Sequence, residues 1–102
     1  MKTGRPPFGL RKANVDEPPA SELALRALAF LAQDEERVAR FLALTGLDGG
    51  AIRDMLAEPG FQLAVLDHLA GDEALLLEFV AAESLPPEAV GHARRRLGGG
   101  EA

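Results

Sequence analysis

The stretch SELALRALAFLAQDEERVARFLALTG, Ser21–Gly46, decides the fold. It predicts a first helix to about Ala32, which Leu23, Leu25, Ala27, Leu28, Phe30 and Leu31 surround with only Arg26 interrupting. Ser21 is a good N-cap residue, and Glu22 places a carboxylate where the helix dipole favours an anion. A second helix is predicted from a cap at Asp34 through Leu44, with Val38, Phe41 and Leu42 as its apolar stripe. Gly46 supplies the left-handed residue on which such a helix stops. No segment alternates apolar and polar side chains long enough to make a strand.

The same punctuation continues outward. Asp48 caps a third predicted helix over 49–57, with Ile52, Met55 and Leu56 inward and a first turn weakened by two glycines. Pro59 opens a fourth, carrying Phe61, Val65, Leu66 and Leu69, because a missing amide hydrogen costs nothing at a helix start. Gly71 interrupts the run, and Asp72 caps a fifth helix through Glu83. Pro86-Pro87 opens a sixth, a thin stripe of Val90, Ala93 and Leu97 expected at the periphery. The fold class is all-α, a compact array of five to six short helices joined by short connections. The first and fifth helices, apolar nearly all round, are expected at its centre.

Charge divides the chain of 102 residues into three parts. Residues 1–20 carry +2, residues 21–90 carry −9 and residues 91–102 carry +2. Pro6, Pro7, Pro18 and Pro19 make 1–19 an extended, disordered basic tail by composition, too poor in large apolar groups to offset ordering. The helical domain is expected over 20–98, and the glycine-rich 99–102 as a disordered C-terminus. The absence of cysteine excludes thiol catalysis and disulfides and fits a reducing cytoplasm. The longest uncharged stretch, Pro59–Leu66, falls far short of the ~20 residues of a spanning helix, so membrane insertion is not expected. Arg11 and Lys12 likewise cut short any signal-peptide core after Leu10.

An ordered set of motifs resembles one small bacterial family. It comprises Leu28-Ala29-Phe30-Leu31-Ala32, Arg40 to Leu47, Pro59-Gly60-Phe61, Val65-Leu66-Asp67-His68-Leu69 and Asp72-Glu73-Ala74-Leu75-Leu76. The set resembles domain of unknown function 3572, common in alphaproteobacteria, and the likeness covers about residues 20–98. The resemblance implies a small cytoplasmic helical protein and carries over no activity, cofactor or site residue.

Candidate chemistry is sparse. His68 and Asp72 stand four apart and could hold one metal ion if the helix ran through Gly71, but the glycine and the cap at Asp72 argue for a break between them. Ser21, Ser84, Thr3 and Thr45 are the only hydroxyl nucleophiles, each explained by a cap, loop or tail. Asp48-Gly49-Gly50 lacks the Lys and Ser/Thr of a phosphate loop. No catalytic, cofactor or metal residue is therefore assigned, and an enzyme is not expected.

Residues 37–58 have the rhythm of a DNA-binding helix-turn-helix, which is the alternative reading. Its second helix offers Arg53 against Asp48, Asp54 and Glu58, the wrong sign for phosphates, so nucleic acid is disfavoured. Arg94-Arg95-Arg96 suits the negative end of the last helix. The reading that remains is a non-enzymatic protein–protein interaction or regulatory module. An unknown protein partner, basic where it meets the acidic body, or a homodimer would use apolar surface left over on the first and fifth helices.

Overall fold

The computed structural model describes residues 17–98; the tail expected over 1–16 and the end over 99–102 lie outside the described residues. Residues 17–19 are non-helical and lead into α1, Ala20–Ala32. The cap lies two residues earlier than expected, at Pro19 and not at Ser21. Pro19 sits in an extended conformation at the cap position, its carbonyl accepts from the Leu23 amide at 2.9 Å, and no side chain caps the helix. Ser21 therefore lies inside the first turn, so its hydroxyl does not serve as the cap.

The other punctuation works as read. Asp34 accepts hydrogen bonds from the Glu36 and Arg37 amides and starts α2, Glu35–Thr45. That helix ends on Gly46 at φ 75°, whose amide donates to the Leu42 carbonyl at 2.9 Å. The third helix is much shorter than predicted. Asp48 caps a 3-10 turn at Gly49–Ala51, and only Ile52–Met55, α3, is α-helical. Two glycines weaken its start, and Glu58 is driven out of helical conformation by Pro59 behind it.

Pro59 opens α4, Pro59–Ala70, which closes at Gly71. Asp72, extended at φ −136°, accepts from the Leu75 amide and starts α5, Glu73–Glu83. The chain then turns at Ser84 and completes α6, Glu88–Arg96. Among the described residues there is no strand, and the all-α array stands.

Its centre holds α1 as expected, but not α5. Helices α1, α4 and α6 pack mutually, while α2 lies on α1 and α5 on α4. α6 is not peripheral, because Ala89, Val90 and Ala93 are buried. Its short side chains let it approach α1, whose own buried face includes Ala20, Ala24 and Ala27. α5 buries only Leu75, Phe79 and Val80. Phe79 meets Phe30 edge to face, with centroids 5.4 Å apart. Each fully buried Leu or Phe contributes about 1.5–3 kcal/mol, so Leu23, Leu31, Phe41, Leu66, Leu69 and Phe79 dominate the core. The single buried polar side chain among the described residues, Gln62, is 5% exposed and donates through Nε2 to the Leu56 carbonyl at 2.8 Å. That bond fastens the 48–58 segment to α4.

Candidate functional site

The break at Gly71 decides what His68 can do. His68 sits in the last turn of α4, and the chain bends before Asp72, whose carboxylate is engaged as the cap of α5. The described residues hold no group of three His, Asp or Glu side chains placed to share a metal ion. The two residues do share a cleft of about 440 Å³ between α2 and the α4–α5 junction. Arg37, Arg40 and His68 line it together with Asp34, Glu36, Asp72 and Glu78.

Most of these charges are already matched. Arg37 pairs with Glu78 and, at 3.8 Å, with Asp34, and its guanidinium lies 5.2 Å from the centroid of the Phe30 ring. Asp34 and Asp72 cap helices. Arg40 has no ion pair among the described residues, and His68 no hydrogen bond. The His68 ring stands edge to face against Phe41 at 5.1 Å. Burial first, then the positive charge of Arg40, pushes the His68 pKa below its ordinary 6.5, with Asp72 opposing. His68 was singled out in the sequence, but its companions Arg37, Arg40 and Phe41 were not. The legible signal was the i, i+3 spacing of Arg37 and Arg40, which puts both cations on one side of α2.

The other candidates disperse. Ser21 and Ser84 are exposed, and the Thr45 hydroxyl donates to the Phe41 carbonyl at 2.8 Å. No hydroxyl among the described residues bonds to a histidine or carboxylate, and Thr3 lies outside them. The helix-turn-helix reading keeps its turn at Gly46 but loses its reading helix, since α3 is a single turn flanked by acids. In the last turn of α6, Arg94 donates to Asp67 at 2.7 Å, while Arg95 and Arg96 remain exposed there. No helix among the described residues is long and apolar enough to cross a membrane.

Apolar surface is left over where it was expected, and in one further place. Leu25 on α1 is 39% exposed, Leu77 on α5 45% and Leu44 on α2 65%. Leu77 is accompanied on the outer side of α5 by the exposed Ala74 and Ala81, three and four residues away.

Comparison with known proteins gives one match. A family model described as "Protein of unknown function (DUF3572)" covers residues 17–100, which include all the motifs read in the sequence. No curated protein and no solved structure matches the chain.

Proposed function

Starting from a chain that belongs to the DUF3572 family, we propose that it acts without catalysis, as a cytoplasmic protein-interaction module that holds a basic partner against α5. The observation that carries this reading is the mismatch between the composition of α5 and its burial. A helix apolar on all sides is normally enclosed on all sides. α5 has Leu75, Leu76, Leu77, Phe79, Val80, Ala81 and Ala82, yet its outer strip of Ala74, Leu77 and Ala81 faces solvent. Glu73 flanks that strip, and the 21–90 body carries −9, so a basic amphipathic partner complements it in both polarity and charge.

Site-specific photo-crosslinking in cells tests the reading on the full chain. A photoreactive residue at position 77 should give a discrete adduct, lost when Glu73 is changed to Lys. The same residue at position 43, on exposed α2 surface, should give none. Equal labelling from both positions, or no adduct at 77, overturns the proposal.

A further inference from the structure

We propose that the cleft between α2 and the α4–α5 junction binds a carboxylate group, seated between the Arg40 guanidinium and the His68 ring. The site adjoins the outer strip of α5, sharing Ala74 with it, but rests on Arg40 and His68 and does not depend on the strip's role.

Two groups in this cleft are capable of donating to an anion and have nothing of their own to donate to. Arg40 presents a planar fork suited to a carboxylate and forms no ion pair among the described residues. His68 forms no hydrogen bond there, although Phe41 fixes its ring. Of the four carboxylates lining the cleft, Asp34 and Asp72 accept from helix amides and Glu78 pairs with Arg37, while Glu36, four residues before Arg40, forms no ion pair with it among the described residues. Those same carboxylates set the ligand's charge. With four carboxylates against Arg37 and Arg40 the lining carries −2 while His68 is neutral, so a phosphate dianion is repelled and a singly charged carboxylate is held only through direct bonds to Arg40 and a proton taken up by His68.

Binding should therefore take up a proton. Around His68 the cleft is lined by Arg37, Arg40 and Glu36 of α2 with Asp34 at its cap, by Asp72 at the junction, and by Ala74, Leu75 and Glu78 of α5, while Phe41 stands against the ring. An anion on Arg40 offsets the repulsion that Arg40 exerts on imidazolium, and gives the ring an acceptor. The linkage makes the site bind more tightly as pH falls toward the His68 pKa.

NMR of the full chain tests this through its two histidines, because His92, beside Glu17 at 3.2 Å, is an internal control. Sodium acetate is compared with sodium chloride at equal ionic strength. Acetate should shift the His68 ring signals saturably and raise the His68 midpoint by about half a pH unit, leaving His92 as in chloride. Arg40→Gln, a change on exposed surface checked by circular dichroism, should abolish both effects. A capped peptide with one Glu, against its Gln counterpart, identifies the source. If the Glu peptide acts at lower concentration than acetate, the carboxylate is a protein side chain; if acetate acts at lower concentration, it is a small free acid. Each result supports the site. Acetate behaving like chloride, a response surviving in Arg40→Gln, or a stronger response to inorganic phosphate would each overturn it.

Discussion

Ser84 ends α5 at φ 58° and ψ 43°, the left-handed region in which a Cβ is crowded and glycine is at ease. Ser84→Gly should therefore raise stability, by about 0.5–1 kcal/mol, measured as a higher urea midpoint. His68 makes the opposite kind of statement. Burial and Arg40 lower its pKa in the folded chain, so the unfolded chain binds that proton more readily. Its stability contribution is whole above pH 6.5 and is lost as pH falls through the lowered value. The drop in unfolding free energy between about pH 7.5 and pH 5 should shrink in His68→Gln, the variant that cannot charge. His68 was visible as a residue; its environment was not. Phe41 and Arg40 precede it by 27 and 28 positions, and only the packing of α2 against the end of α4 brings them to it.

At the scale of elements, the capping residues carried most of the legible information. Asp34, Asp48 and Asp72 each accept the amide bonds their positions announced, and Gly46 and Pro59 stop and start helices as their backbones require. Asp72→Ala should cost about 1 kcal/mol, read as a lower melting temperature together with faster amide exchange in the first turn of α5. Reading failed where local signals competed. Ser21 has the chemistry of a cap, but the helix was already under way after Pro19. Ile52, Met55 and Leu56 have helical spacing, but they are squeezed between two glycines and Pro59, leaving one α-turn. That short element depends on a tether from outside. Gln62→Leu would leave the Leu56 carbonyl without its partner, at a cost of about 1–3 kcal/mol, with the added exchange confined to 48–58.

For the molecule as a whole, counting apolar residues ranked the helices wrongly. α5 is rich in Leu and Phe but buries only Leu75, Phe79 and Val80, whereas α6 is poor in them and packs on both α1 and α4, because small side chains permit close approach that composition does not register. A domain of about 80 residues has roughly 4–12 kcal/mol of stability to lose. Phe79→Ala, at about 3–5 kcal/mol, should bring it close to unfolding at ambient temperature by circular dichroism. Leu77→Glu, on the same helix but on its open side, should change stability by less than about 0.5 kcal/mol. The pair separates a side chain the fold needs from one it does not.

The contact between Glu17 and His92 has a practical corollary. It places the beginning of the helical array beside its last helix, so a short glycine linker could join the two ends. Such a rewired chain could be cut open instead at Gly71, where α4 already gives way to α5.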